Sequence, residues 1–417
     1  MSEYVLVLLI AAGATYLTSG LFRRVAVRLG AMAWPRVRDV HVAPMPYFGG
    51  LAMLVGVGVA FLVASRLPFL SSHAIVTRDS VGVFLAACVI CLVGAIDDML
   101  DLPVYTKVFG QVLAAAVAVL NGVRLYWVSL PNSIYALDTP TSTLVTLIFI
   151  FVCVNAVNLV DGLDGLSSGV VGIGASAMFL YTYFLAFERN LVVCTTASLV
   201  TVAATGVCLG FLPHNFHKAR MFMGDSGSML LGLLLASSSI SFTGQMDSQL
   251  LQPATSGIFW PSLMPFVLPV AVMFVPLLDL VLSYIRRTSR GIWWFQADKE
   301  HLHHRLMNRG HSQRATVAIM WGWTALVSYG VTLLALVNTP WVWVVLGAAL
   351  AIMCLMTWVY DARPRSRNRR APRPSQEVDQ EVDQASALPS DSQPESRVEL
   401  EPEPEALGFS LGSAQVS

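Results

Sequence analysis

The sequence predicts an all-α polytopic membrane protein with about eleven transmembrane helices, and three observations carry that reading. Only 12% of its residues are charged and 55% are hydrophobic, where an ordinary soluble domain carries about 25% charged residues. The mean hydropathy is +0.64. The remaining charge is confined to short stretches between long apolar runs, so the net charge of zero hides a strong segregation. Ionisable groups are expensive in a bilayer and are usually functional there.

A membrane helix needs about 20 apolar residues. Segments of that kind fall at 4–22, 49–65, 80–96, 107–120, 143–159, 167–187, 191–212, 228–243, 263–285, 316–336 and 341–359. Those at 49–65 and 228–243 are short and fit a tilted or thinly covered helix. No basic stretch precedes the first apolar run and no small-residue cleavage site follows it, so the first span is expected to stay in the mature protein. The six cysteines, at 88, 91, 153, 194, 208 and 354, lie mostly inside apolar runs and show neither metal spacing nor a disulfide framework. They read as small buried apolar residues.

Orientation follows from the distribution of Lys and Arg. Alternate loops at 23–48, 97–106, 160–166, 213–227 and 286–315, with the tail from 360, share one side of the membrane. The first holds Arg23, Arg24, Arg28, Arg36 and Arg38, and the fifth holds Arg286, Arg287, Arg290, Lys299, Arg305, Arg309 and Arg314. The opposite loops hold only Arg66, Arg78, Arg124 and Arg189. The positive-inside bias therefore expects the basic loops in the cytoplasm, the N-terminus outside and the C-terminus inside, as an odd number of spans requires. Hydropathy and charge alone then bring every acidic motif described below to the cytoplasmic face of the plasma membrane.

Two regions are expected: a multi-span domain at 1–360 and a cytoplasmic tail at 361–417. The tail is rich in Pro, Ser, Gln and Glu, and Glu377-Val-Asp-Gln repeats at once from Glu381. Basic residues from Arg363 to Arg373 suit anionic lipid. Beyond them lie ten Asp and Glu residues between Glu377 and Glu405. This composition cannot bury a core and is expected to be disordered.

Four motifs carry chemistry. The first is Gly94-Ala-Ile-Asp97-Asp98-Met-Leu-Asp101. If the helix runs through it, Asp97 and Asp101 are i,i+4 neighbours and Asp98 and Asp101 are i,i+3. Such carboxylates repel one another without a cation, and Mg²⁺ suits them because it takes one or two carboxylates plus substrate phosphates. A solvated helix end is the alternative. The second is Asn155-Ala-Val-Asn158-Leu-Val-Asp161-Gly-Leu-Asp164-Gly. Its polar residues recur every third position, and Gly162 and Gly165 permit a tight turn. Hydrogen bonding between helices would explain the two asparagines, but not the aspartates and glycines as well.

The third motif, Gly224-Asp225-Ser226-Gly227-Ser228, enters the eighth span, where backbone N–H groups can meet a phosphate. Asp225 could ligate a metal and Arg220 could pair with a diphosphate, although an ordinary helix cap reads the same way. The fourth is His301-Leu-His303-His304-Arg305. It lacks the cysteines and distant ligands of a typical zinc site. A set of donors for a sugar or diphosphate fits better, with Arg305 as a fork for phosphate oxygens. Lys107 could contact phosphate or simply snorkel. Asp279, inside the ninth span, is a functional candidate by its position, with Arg286 as a structural partner.

Together and in this order, these motifs resemble the polyprenyl-phosphate N-acetylhexosamine-1-phosphate transferase family, and the match runs from His41 through His311, most of the membrane portion. His301-Leu-His-His-Arg-Leu is similar to the bacterial GlcNAc-1-phosphate branch, and Ala297-Asp298-Lys299 with Gly310-His311-Ser312 resembles its actinobacterial members. Tyr47 stands where the family pattern leads one to expect a basic contact, and Gly291-Ile-Trp293-Trp294-Phe-Gln296 is unusually aromatic.

The resemblance implies transfer of GlcNAc-1-phosphate from UDP-GlcNAc to polyprenyl phosphate, with release of UMP, as the first membrane step of an envelope glycopolymer. It implies Mg²⁺, with Mn²⁺ as a substitute, on Asp98 and Asp225. Asp97 and Asp101 join Asp98 as catalytic candidates. Lys107, Asn155, Asn158, Asp161, Asp164, Arg220, His301, His303, His304 and Arg305 are the substrate-binding candidates. The expected partners are the two substrates and membrane lipids, with no nucleic acid and with a homodimer left open. Another UDP-N-acetylhexosamine donor is one alternative. An ion-coupled transporter is a second, and it predicts acids near the bilayer midplane and inverted repeats.

Overall fold

The computed structural model describes residues 1–34, 44–72, 74–130, 133–188, 191, 194–244, 260–291, 301–337 and 339–359. The tail from 361, Arg36, Arg38, His41, Arg189 and the stretch 292–300 with its tryptophans, Asp298 and Lys299 lie outside the described residues.

In hydrocarbon every backbone N–H and C=O must be satisfied within the segment, so an apolar run of span length becomes a helix. The chain opens with α1 (Ser2–Leu29), which Gly30 ends in a left-handed conformation. β1 (Met32–Ala33) and β2 (Met45–Pro46) form a short antiparallel pair with Met32 opposite Pro46. Then come α2 (Gly49–Ala64), the single turn α3 (Pro68–Ser71), α4 (Ala74–Leu100) and α5 (Val104–Leu120). A hairpin of β3 (Trp127–Leu130) and β4 (Ser133–Ala136) leads to α6 (Thr139–Val160), α7 (Leu166–Glu188), α8 (Cys194–Asn215) and α9 (Gly224–Gly244). α10 (Trp260–Val272), α11 (Phe274–Ser289), α12 (Leu302–Asn308), α13 (Gln313–Leu336) and α14 (Pro340–Val359) complete the order.

The described chain is almost entirely helical. Eight of its helices are long and apolar enough to cross a membrane, or nine if α10 and α11 count as one broken span. α2 and α5 are apolar but shorter, at 16 and 17 residues. Each of the eleven apolar segments thus falls on helix, and the difference from the expected count lies in length and straightness. The segment 263–285 is not one rod: α10 and α11 meet at 74° across Met273. Pro276, four residues after Val272, has no N–H to continue the ladder to the Val272 carbonyl, and Pro265 and Pro269 weaken α10 itself.

α9 is the centre of the bundle. Every residue in its most apolar window is buried, and it packs against α2, α4, α6 and α8. The sequence suggested a thinly covered short span here, because Gly and Ser lower its hydropathy. In the fold those small side chains are what let neighbouring backbones come close. Gly94 of α4 shows the need at the site: a Cβ there would sit 2.4 Å from the Ser226 backbone nitrogen. This contact locks the ends of α4 and α9 together, and both ends carry acidic motifs.

Candidate active site

The helix of the first motif runs only to Leu100. Asp101 leaves it with a positive φ of 46°, so the three-acid stripe of a continuous helix does not form. Asp97 turns back on its own helix end, where Oδ1 accepts the Leu102 N–H at 2.9 Å. Its Oδ2 accepts from Lys107 Nζ at 3.0 Å. The same ammonium, on the first turn of α5, also contacts Asp225 Oδ2. Asp98 points the other way, into the N-terminus of α9. Its Oδ1 accepts the Asp225 N–H at 2.7 Å, and its Oδ2 accepts the Ser226 N–H at 3.3 Å and the Ser226 hydroxyl at 3.0 Å. An anion there satisfies orphan donors and complements the helix dipole.

The second motif closes α6 and turns into α7. Its first amide, Asn155, does not reach the site. Asn155 Nδ2 donates to Gln111 Oε1 at 2.8 Å, tying α6 to α5 inside the bundle. One turn later Asn158 sits beside Asp225, where its amide favours the charged carboxylate. Asp161, in the loop, is pushed well above the usual carboxylate range by burial and then by its neighbours Asp225, Asp98 and Asp164. This is the electrostatic signature of an acidic site that favours a cation. Asp164 Oδ2 accepts the Ala219 N–H at 3.1 Å, and Asn215 Oδ1 accepts the Gly165 N–H at 2.9 Å while its Nδ2 donates to Met221 O at 3.1 Å. These bonds fasten the second motif to the chain entering the third.

The histidine turn is held from an unexpected quarter. Asp279, buried in α11, accepts the Leu302 N–H at 2.8 Å and the His301 Nδ1 proton at 3.1 Å. It therefore caps α12 and sets the ring of its first histidine, and the Arg286 guanidinium donates to Ser283 Oγ at 3.2 Å. The His301 and His303 rings lie nearly parallel, 5.8 Å apart between centroids. His303 lies over Gly162, where a Cβ would come within 2.4 Å of Nε2. Only glycine in the second motif admits that ring. Burial, and then the charge of His304, pushes His303 down to about 3, so it is neutral at physiological pH. Its buried Nδ1 has no hydrogen-bond partner among the described residues.

These elements surround one cavity of about 910 Å³. Asp98, Asp101, Asn158, Asp161, Asp164 and Asp225 line it, and His301, His303 and His304 close one side. Asp97 and Lys107 stand behind Asp225 rather than in the lining. Arg220 and Arg305 are exposed and outside the lining. On α12 the 100° step per residue buries His303 and Leu306 and turns Arg305 away. The sequence reading missed Asn215, Asn308 and Gln313, and of the wall of Ala31, Trp34, Tyr47 and Phe222 it singled out only Tyr47. Asn215 carried a signal, since an amide at the end of a span needs partners. The rest of the wall carried none, because the pairing of β1 with β2 builds it.

The donors fit a hard divalent cation. They are carboxylate oxygens, and burial together with the neighbouring acids raises Asp161. Among the described residues no three His, Cys, Asp or Glu side chains converge closely enough to hold a metal alone. Carboxylate oxygens suit Mg²⁺, which takes one or two carboxylates and completes its shell with water and substrate phosphates. The set does not suit a structural zinc site, which takes four protein ligands.

The sequence model of glycosyl transferase family 4 matches residues 80–243, from within α4 to the end of α9. A decaprenyl-phosphate N-acetylglucosaminephosphotransferase of Mycobacterium tuberculosis (strain ATCC 25618 / H37Rv) is 44% identical over 334 residues, which cover 79% of this chain and 82% of the relative. The protein of that name in Mycolicibacterium smegmatis is 39% identical over 363 residues, 86% and 89% of the two chains. The undecaprenyl-phosphate alpha-N-acetylglucosaminyl 1-phosphate transferase of Yersinia pestis is 29% identical over 305 residues, 72% and 75%.

Proposed function

This chain belongs to the family of polyprenyl-phosphate N-acetylglucosaminephosphotransferases, and from that premise we propose that it transfers GlcNAc-1-phosphate from UDP-GlcNAc to a membrane polyprenyl phosphate. The product is polyprenyl-diphospho-GlcNAc, and UMP is released. The observation that carries the reading is the convergence on one cavity of carboxylates from α4 and α9, the Asp161–Asp164 loop and the three histidines of the α12 turn.

An oxygen of the acceptor phosphate bonds to the sugar-linked phosphorus. The bond from that phosphorus to the oxygen bridging to UMP breaks, and UMP leaves with that oxygen. Asp98 and Asp225, with Asp101 in support, would hold Mg²⁺, or Mn²⁺ in its place. When bound, the ion offsets the repulsion between the two anionic substrates and steadies the leaving UMP. Asp97, outside the lining, acts as a positioning residue that holds Lys107 beside Asp225. A phosphate monoester with a second pKa of about 6 is already largely dianionic at neutral pH, so strong general-base help is unnecessary. Asn158, Asp161 and Asp164 shape the nucleotide end. His301, His303 and His304 hold the sugar and diphosphate: neutral His303 offers an unpaired ring nitrogen, and Asp279 keeps His301 in register.

The site faces the cytoplasm in this reading, with eleven crossings, the N-terminus outside and the C-terminus inside. The Lys and Arg asymmetry of the loops supports it. The test uses membranes carrying the full chain, radiolabelled UDP-GlcNAc and polyprenyl phosphate, with and without Mg²⁺. Label that enters the lipid fraction only with Mg²⁺ supports the reading. No labelled lipid from folded protein rejects GlcNAc as the donor.

A further inference from the structure

Lys107 stands where a cation belongs. Its Nζ touches Asp225 Oδ2 and lies 3.0 Å from Asp97 Oδ2, so one ammonium bridges carboxylates delivered by α4 and α9. Only 26% of the side chain is exposed. Asp98, beside them, already accepts three hydrogen bonds from the first turn of α9. Of the two carboxylates assigned to the metal, Asp225 is therefore the one whose oxygen is held by a side-chain cation.

We propose that Lys107 is an internal competitor for the divalent ion, and that the donor diphosphate relieves the competition. Without substrate, the ammonium neutralises Asp97 and Asp225, and an ion that approaches Asp225 meets its repulsion. Two cations on one carboxylate repel each other, so an ion on Asp225 and the Lys107–Asp225 contact weaken one another. A lysine is a point charge on a flexible four-carbon stem, so it can keep Asp97 while it swings from Asp225 to a phosphate oxygen. UDP-GlcNAc supplies such oxygens. Ion and nucleotide sugar then strengthen each other's binding, reciprocally, as linkage requires. The inference rests on the proposed reading of Asp225 as a metal ligand.

The test reads binding rather than turnover. Mn²⁺ is titrated into the full chain in detergent and free Mn²⁺ is followed by electron paramagnetic resonance. Wild type, Lys107→Met, Lys107→Arg and Asp225→Asn are compared without acceptor lipid, with and without UDP-GlcNAc. Thermal unfolding in metal-free buffer checks that each variant is folded. Lys107→Met is expected to bind Mn²⁺ about tenfold tighter than wild type without the nucleotide, and to lose most of the gain that UDP-GlcNAc gives wild type. Lys107→Arg, which keeps the charge, is expected to stay weak. If Lys107→Met does not fold, Lys107→Gln is read in its place. Equal or weaker Mn²⁺ binding by the folded neutral variant overturns the inference while leaving the metal reading intact. Mn²⁺ binding untouched by Asp225→Asn overturns both.

Discussion

Asp98 caps the helix that carries Asp225. Its carboxylate, on the last turn of α4, accepts the Asp225 N–H at 2.7 Å and binds the Ser226 N–H and hydroxyl as well. Two residues assigned to one ion are thus also joined by a helix cap between elements remote in sequence. Removing the Asp98 side chain strikes both chemistry and fold, and two substitutions separate them.

Asp98→Asn keeps an acceptor for the α9 N–H groups and removes the charge. Lipid-linked product should fall by on the order of 100-fold, with a smaller drop in unfolding temperature than Asp98→Ala gives, since one acceptor oxygen remains. Asp98→Ala should also lose about 1–3 kcal/mol of stability, because it leaves buried donors unpaired. Transfer assays run beside thermal unfolding in detergent read the two effects. Near-normal transfer by Asp98→Asn would remove this residue from the chemistry.

The close approach of α4 and α9 makes Gly94 intolerant of even one carbon. A Cβ 2.4 Å from Ser226 N must push the helices apart, at about 1–3 kcal/mol. Gly94→Ala should lower the unfolding temperature and reduce transfer, because the shift moves Asp98 relative to Asp225. A variant as stable and active as wild type would show that the contact is softer than drawn.

His303 gives a pH dependence of definite sign. Its folded pKa is about 3 and its unfolded value is about 6.5. Above 6.5 both states are neutral, and the group contributes no pH-dependent loss. As pH falls from 6.5 towards 3 the unfolded state takes a proton that the folded state refuses, and stability drops. His303→Gln should make unfolding temperature less sensitive to pH between 7 and 5. Parallel curves for the two proteins would contradict the buried neutral ring.

Asp279 should matter although it lies outside the cavity lining. Asp279→Ala frees the Leu302 N–H and the His301 ring, so the histidine turn loses its anchor. KM for UDP-GlcNAc is expected to rise several-fold, with a stability loss of about 1–3 kcal/mol. Asp279→Asn, which keeps one acceptor, should recover part of both. Kinetics at saturating acceptor lipid distinguish this from a general loss of folded protein.

Hydropathy is a local property, and in hydrocarbon it forces helix. All eleven apolar segments are therefore legible in the sequence and all fall on helices. The acidic and histidine motifs were legible for a related reason: a charge at a span end is costly enough to announce itself, as Asp98, Asp161, Asp164 and Asp225 do. What the sequence could not decide is which remote groups meet. The 74° break at Met273 brings Asp279 to the turn that begins at His301. Asn155 looked like Asn158 in spacing, yet it is taken by Gln111, while Asn158 reaches the cavity. Arg305 looked like a fork for phosphate oxygens, and helix phase turns it outward. Spacing along one chain fixes which side chains share a face, and only packing between helices determines which face meets the cavity.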